Sequence, residues 1–373
     1  MTTADVIVSG HLCLDLIPRM ERVALNMLTA PGQLWEVGPL DFATGGAVSN
    51  TGVALHRVGV NVRLLATVGD DLIGQMIIRI LADRDPALTR LISVQSGQPG
   101  SYTIILEPER VDRIFLHCTG TNQLFGLNNI DFALLPGAKI FHFGYPPLLP
   151  QFMVNDGEQL QALYQRVQSM GIATSLDMTT PDRSGPAGQV NWVKILQQTL
   201  AYVDIFIPSI EEITFMLRRA DFENWYGSEF YDHLTAAYLR DLADELLSLG
   251  VAIAGFKLGR LGIYLKTAGA ERLQRLTTLN LNADIWANQE VYSPAFAVNV
   301  VGTTGAGDSA YAGFLAALLR GLSPNEAVRW ACAVGACNVE AADATSGIRT
   351  WEQTQARLVD HWPLRPERLK GWA

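Results

Sequence analysis

Short apolar runs fit for burial as strands alternate with amphipathic stretches of helical length along most of the chain, and this rhythm leaves few architectures open. Residues 6–8, 63–68, 139–143, 172–176, 203–207 and 251–256 read as strands. Residues 47–58, closed by Gly59, and 73–82, 157–170 and 241–249 read as helices. Strands separated by single helices predict βαβ units and a mostly parallel sheet covered on both faces, an α/β fold. Such a sheet binds ligands beyond the carboxyl ends of its strands.

Two regions break the rhythm. Residues 101–106 and 113–118 are β-rich and joined by Glu107-Pro108-Glu109-Arg110-Val111-Asp112, which predicts a hairpin. Residues 14–42 are irregular and lack a clear helix. A small accessory sheet built from these pieces would serve as a lid over an open α/β site. There is no internal repeat and no low-complexity linker. Residues 221–231 (DFENWYGSEFY) read as an inserted surface segment, and 276–298 as a second irregular stretch rich in Asn. Local packing or an oligomer contact is the role expected of both, with the Trp and Tyr of 221–231 open to a homodimer contact.

Composition narrows the function classes. The 373 residues are 49% hydrophobic and 17% charged, which excludes a disordered chain. The net charge of −9 and the lack of any basic run longer than two residues argue against nucleic acid as a partner. Cys13, Cys118, Cys332 and Cys337 form no Cys-x-x-Cys pair, so a zinc ribbon or redox dithiol is not expected, and the thiols read as reduced and mostly buried. The amino terminus has no basic region of a signal peptide, and the apolar stretches fall short of the roughly 20 residues of a membrane span. A cytoplasmic location is expected, with no membrane partner.

The most informative segment is Gly302-Thr303-Thr304-Gly305-Ala306-Gly307-Asp308, which leads into the apolar run 310–319. Small residues at a helix start let a ligand approach the backbone, and the free N–H groups and dipole there favour an anion. Asp308 in the first turn would repel a phosphate unless it had a task. Taking a proton from a hydroxyl as it attacks phosphorus is such a task, and complementing the helix dipole is the alternative. In Thr44-Gly45-Gly46-Ala47-Val48-Ser49-Asn50, two glycines precede a helix carrying Asn50, a pattern suited to a polyhydroxyl ligand or simply to a turn. In Gly69-Asp70-Asp71-Leu72-Ile73-Gly74, at least one aspartate is expected to cap the following helix. His142 ends a strand but reads as a satisfied buried histidine. No Walker P-loop, Gly-x-Gly-x-x-Gly after the first strand, His-Glu-x-x-His or Gly-x-Ser-x-Gly occurs.

The order of these motifs resembles the ribokinase-like (PfkB) family of carbohydrate kinases over nearly the whole chain. The resemblance implies one ribokinase-like domain over 1–373, a three-layer α/β/α sandwich with a central mostly parallel sheet and a small β-sheet lid from about 12–44 and 98–120. It implies ATP and magnesium as cofactors and a small sugar or sugar acid as substrate. Asp308 matches the family's catalytic base, and Gly305, Ala306 and Gly307 its anion hole. Asp15, Gly45, Gly46 and Asn50 match sugar ligands, and Arg113 falls where many members have a lid arginine. Glu212 in Pro208-Ser209-Ile210-Glu211-Glu212 matches the residue that orders magnesium through water. Lys257 to Gly262, with Gly259, lies where the family has a strand–turn–strand near the nucleotide phosphates. Thr304 and Ser209 fall on the same nucleotide side, and Asn338 beside the adenine. Asp177, at a strand end, is a candidate for an indirect role toward magnesium or phosphate.

Three positions depart from the family pattern. Ser209 stands for the Asn of Asn-x-x-Glu, and Ala47 for a lysine frequent in ribokinases. Gly302 stands for an acid that in some members helps hold a monovalent cation, so that cation is not carried over. The expected reaction is ATP-dependent phosphorylation of a sugar hydroxyl. A nucleoside kinase of the same fold and a non-catalytic sugar- or nucleotide-binding regulator are the alternatives. A phosphofructokinase would need further basic groups, for which Arg113 and Arg110 are the candidates.

Overall fold

The computed structural model describes residues 4–20, 23–29, 31–108, 113–227 and 229–372. Arg110 lies outside them. The strands are β1 (Val6–Gly10), β2 (Cys13–Pro18), β3 (Leu40–Gly45), β4 (Val62–Gly69), β5 (Leu91–Gln95), β6 (Tyr102–Leu106), β7 (Ile114–Cys118), β8 (Ile140–Gly144), β9 (Ala173–Asp177), β10 (Ile205–Phe206), β11 (Ile253–Lys257), β12 (Ile263–Thr267) and β13 (Glu290–Ser293). Nine form a large sheet in the order β13-β12-β11-β10-β9-β8-β1-β4-β5. Pairing is parallel from β5 across to β11 and antiparallel over β11-β12-β13.

Strand alternation divides the core into two. Val6, Val8, Leu64, Ala66 and Ile253 face one side, where the helices α1 (Gly46–Arg57) and α2 (Leu72–Arg84) pack. Ile7, Leu65, Phe141, Phe143 and Phe206 face the other, under α3 (Val154–Ser169). This is the layered α/β arrangement expected from the rhythm of the sequence, with period-two side chains feeding both faces of one sheet. Strand β10 is shorter than 203–207, because the Asp204 carboxylate takes over the Thr174 N–H and Pro208 has none to give.

The remaining strands form a small sheet in the order β3-β2-β6-β7. The hairpin expected at 101–118 is β6-β7, paired antiparallel. The stretch 14–42 is more regular at its ends than its sequence suggests. β2 and β3 pair antiparallel from Cys13 with Gly45 to Pro18 with Leu40, and β2 runs parallel to β6. Only two residues, His11 and Leu12, separate β1 in the large sheet from β2 in the small one, and β3 runs straight into α1. These two of the four passages between the sheets therefore lie beside the Gly45-Gly46 turn.

Two further segments come out differently from the sequence reading. Residues 221–231 are a surface segment with two inward anchors: Phe222 and Phe230 are buried, packed against each other and against Phe215 and Trp225, while Tyr226 is exposed. Residues 276–298 contain a short helix, Ala283–Trp286, and strand β13. The Asp70-Asp71 pair is structural. Asp71 caps α2 through Gly74 N–H and also accepts from Gly100 N–H, while Asp70 accepts from Ser96 and Gly97.

Candidate active site

The Thr303–Gly307 segment turns into α4 (Ala306–Leu319), whose run of small and apolar residues buries it between α1 and α5 (Pro324–Asn338). Gly305 caps this helix with φ 71°, a left-handed conformation in which an added Cβ would lie 2.7 Å from Ala344. Tyr311, one turn into α4, bonds to the carbonyls of Leu176 and Ile205 and so pins the helix start to the carboxyl ends of β9 and β10. Asp308 is carried to the middle of the sheet's open end and is 3% exposed. Its carboxylate accepts from Asn50 Nδ2 at 3.0 Å, from Thr51 Oγ1 at 3.4 Å and, at both oxygens, from the Tyr145 hydroxyl at 2.8 Å.

On one side of Asp308 lies a cavity of about 1070 Å³. Ala306 and Gly307 form its floor, and Ser209, Glu212, Lys257, Gly259 and Gly262 line it with Arg113 and Thr303 above. Phe222, Tyr226, Phe230 and Tyr231 supply an aromatic wall, so the segment read as a surface insertion borders this cavity. Gly259 and Gly262 close the turn between β11 and β12, as the expected strand–turn–strand requires.

Lys257 Nζ contacts both oxygens of the fully buried Asp177 at 2.6 and 2.8 Å. Burial alone would lower the lysine, but Asp177, Glu212 and Asp308 outweigh it and hold the ammonium charged above the ordinary lysine range. A Cβ on Gly307 would lie 3.5 Å from Nζ, so this charge abuts the start of α4. Glu212 lies in α6 (Ile210–Leu217), and its carboxylate folds back on Ser209 N–H at 2.8 Å. Burial raises Glu212, against the pull of Lys257 and the Ser209 backbone.

Asn338 sits just behind the cavity wall. It is fully buried and donates to the Thr304 carbonyl at 2.8 Å, behind the glycine turn, while Gly335, Ala336 and Val339 form the cavity wall there. At Gly302 the Ala341 and Ala342 carbonyls would lie within 3 Å of a Cβ, which leaves no room for a side chain.

On the other side of Asp308 is a compact polar cluster. Asp15 is 6% exposed and accepts from the Cys13 thiol at 3.5 Å; burial raises its carboxyl to about 7, and that thiol pulls the other way. Gly45 gives it space, since a Cβ there would lie 2.3 Å from the carboxylate. His11 is 2% exposed, and neither ring nitrogen has a partner. Asn50 Oδ1 is likewise unpartnered. Tyr145 completes the cluster from a left-handed backbone (φ 67°, ψ 47°), a conformation costing about 1–2 kcal/mol. Such strain collects at functional sites. Burial, then Asp308 and Asp177, raise the Tyr145 phenol and keep it a protonated donor.

The structure thus gathers Asp15, Gly45, Gly46 and Asn50 at one end, and Ser209, Glu212, Lys257, Gly259 and Gly262 at the other, with Asp308 between. Arg113 donates to Thr303 across the cavity mouth. The sequence reading missed His11, Thr51 and Tyr145. A signal existed for Tyr145: it directly follows the strand end at which His142 drew attention. His142 is fully buried behind the site, bonded through Nδ1 to Ser175 at 2.9 Å.

A family model described as pfkB family carbohydrate kinase matches residues 3–351. The chain belongs to this family. Among curated PfkB relatives, the 2-dehydro-3-deoxygluconokinase of Bacillus subtilis is 24% identical over 351 residues, spanning 92% of this chain and 95% of that protein. The probable fructokinase-6 of Arabidopsis thaliana is 26% identical over 367 residues, spanning 95% and 82%. The fold is also that of an Arabidopsis thaliana ribokinase solved with ribose and ATP, with a TM-score of 0.73 at 17% identity over 96% of this chain and 99% of that one. An Escherichia coli putative ribokinase II solved with ATP and magnesium gives 0.68 at 17% identity over 96% and 100%. This PfkB chain is therefore a carbohydrate kinase by family and has the fold of the ribokinase structures. Among its described residues, no helix is long and apolar enough to cross a membrane.

Proposed function

We propose that the protein transfers a phosphoryl group from ATP, with magnesium, to a hydroxyl of a small sugar or sugar acid. The observation that carries this reading is the position of Asp308, a buried carboxylate at the start of α4 between a large cavity and a polar cluster. Asp308 accepts the proton of the attacking hydroxyl. The N–H groups of Gly305, Ala306 and Gly307 stabilise charge developing on phosphorus, with Lys257 beside them as a fixed cation. Asp15, Gly45, Gly46 and Asn50 hold the acceptor. Ser209, Thr304, Gly259 and Gly262 border the nucleotide. Asn338 acts by holding the Thr304 carbonyl.

The residues present fit the cofactors. The cavity is at the upper end of the range for small-ligand sites, about 300–1,000 Å³. Among the described residues no group of three or more His, Cys, Asp or Glu could cage a metal. That suits magnesium, which binds through one or two carboxylates together with substrate phosphates. Glu212 would hold it through water, with Asp177 one step behind through Lys257; the ion supplies charge neutralisation across the phosphates. The small sheet closes over the acceptor and excludes water, and the whole chain works as one kinase domain.

The test is ATP consumption with magnesium across sugars, sugar acids, sugar phosphates and nucleosides. Acceptor-dependent ADP release is expected, and Asp308→Asn should lower kcat by about 10²–10⁴, the range for loss of a general base. Near-wild-type turnover in that variant would overturn the assignment of the base.

A further inference from the structure

We propose that His11 reads the acceptor's hydroxyls, and that the site it lines selects an uncharged polyhydroxy compound over a sugar acid or a sugar phosphate. This rests on the kinase reading above and narrows its substrate class.

Buried polar side chains are nearly always hydrogen-bonded, and each exception calls for a cause. His11 has two unpartnered nitrogens at 2% exposure, and Asn50 Oδ1 stands unpartnered in the same cluster. His11 is not adrift. Its backbone N–H bonds to Gly144 O at 3.2 Å and its carbonyl accepts from Val48 N–H at 3.1 Å, so the ring is anchored between β8 and α1. The ring lies 5.0 Å from that of His117 and 6.3 Å, near-parallel, from that of Tyr145. Its Nδ1 is close to Gly46, where a Cβ would come within 2.5 Å. His117 is already bonded to Thr103 at 3.0 Å. What is held ready is one imidazole donor, one imidazole acceptor, one amide oxygen and the Asp15 carboxylate. Hydroxyl groups, which both donate and accept, satisfy all four.

The charges favour the same class. Burial, reinforced by His117, pulls His11 well below the ordinary histidine range, and burial lowers His117 as well, so both rings are neutral at physiological pH. Among the described residues, the acceptor end sets beside these rings two acidic side chains, Asp15 and Asp308. Arg113, the described arginine of the small sheet's β6-β7 hairpin, is directed to Thr303 at the cavity on the far side of Asp308. An acceptor carboxylate or phosphate would meet these two acidic side chains and uncharged rings, with the ionised fraction of Asp15 adding repulsion, an arrangement that disfavours binding.

The experiment compares matched acceptors with the wild-type enzyme: ribose against ribonate, and fructose against gluconate, 2-dehydro-3-deoxygluconate and fructose 6-phosphate. The expected result is a kcat/KM for a neutral sugar about 10²-fold or more above that for any anionic one. His11→Ala should raise the KM for the neutral acceptor about tenfold with kcat and the KM for ATP little changed, and His11→Gln, which keeps a donor and an acceptor, should recover part of the loss. Preference for an anionic acceptor, or an unchanged acceptor KM in His11→Ala, would overturn this inference and leave the kinase reading intact. Absence of turnover with every acceptor would overturn the kinase reading. Calorimetric binding then decides the inference alone: neutral sugars bound in a His11-dependent way support it, and anions bound instead, or nothing bound, overturn it.

Discussion

The two ends of the site flanking Asp308 are built on opposite terms. At the cavity end the charged groups already have partners: Lys257 with Asp177, Glu212 with Ser209 N–H, Glu211 with the Tyr231 hydroxyl. At the cluster end Asp15 holds only a thiol, His11 holds nothing, and Asn50 uses half of its amide. At the first end these charges are paired within the protein, by side chains and by the Ser209 backbone, before any ligand arrives. The second is left incomplete, at a cost in stability that an acceptor would repay in hydrogen bonds. Recognition chemistry is concentrated where the protein itself is least satisfied.

The sharpest way to break this contrast is to remove one member of the completed end. Lys257→Met leaves Asp177 buried without its cation and should destabilise the fold by about 3–5 kcal/mol, read by urea denaturation. A loss below about 1 kcal/mol would show that Asp177 is easily neutralised and that the pair is not a fixed frame. The incomplete end should respond with the opposite sign. Asp15 titrates near 7 in the fold against about 4 in the unfolded chain. Its protonated form therefore costs nothing below pH 4, and a penalty grows as pH rises from about 4 to about 7 and levels off above that. Asp15→Asn should raise stability at pH 8 by an amount on the order of 2–4 kcal/mol, and the gain should vanish by pH 4, while acceptor binding is lost. A melting temperature that falls equally at both pH values would refute the sign. The smallest effect is expected at the junction. Tyr145→Phe removes the donor shared by both oxygens of Asp308 and should lower kcat about tenfold with acceptor KM nearly constant, as for loss of a charge-assisted hydrogen bond. An unchanged kcat would mean that Asn50 and Thr51 suffice to hold the carboxylate.

What the sequence disclosed follows the same division. Strands buried on both faces and helices with a clear apolar stripe were legible, because burial imposes their period. Strands β2 and β3 were not, because one part-exposed pair is interrupted by Pro18 and by a long excursion between them. Site residues embedded in glycine turns, such as Asp308 and Asn50, could be recognised from local pattern. His11 and Tyr145 carry only the weak signal that each follows a strand end, and they meet because β1 and β8 lie parallel with Gly10 opposite Gly144. The pairing of Lys257 with Asp177 spans 80 positions and likewise exists only in the folded sheet. Residues 221–231 misled for a different reason, since acidic side chains masked Phe222 and Phe230, which face inward.

The direct passage from β1 into β2 and from β3 into α1 also bears on how such a kinase changes over generations. His11, Asp15, Gly45, Gly46 and Asn50 all fall within the first 50 positions, whereas most groups bordering the cavity lie between Thr180 and Val339, with Arg113, Phe115 and Arg365 outside that range. Apart from Thr51 and Tyr145, the two sets meet through Asn50 at Asp308. One contiguous exchange near the amino terminus would thus carry these five groups together, while Tyr145 and the β6-β7 half of the small sheet would stay with the rest of the chain.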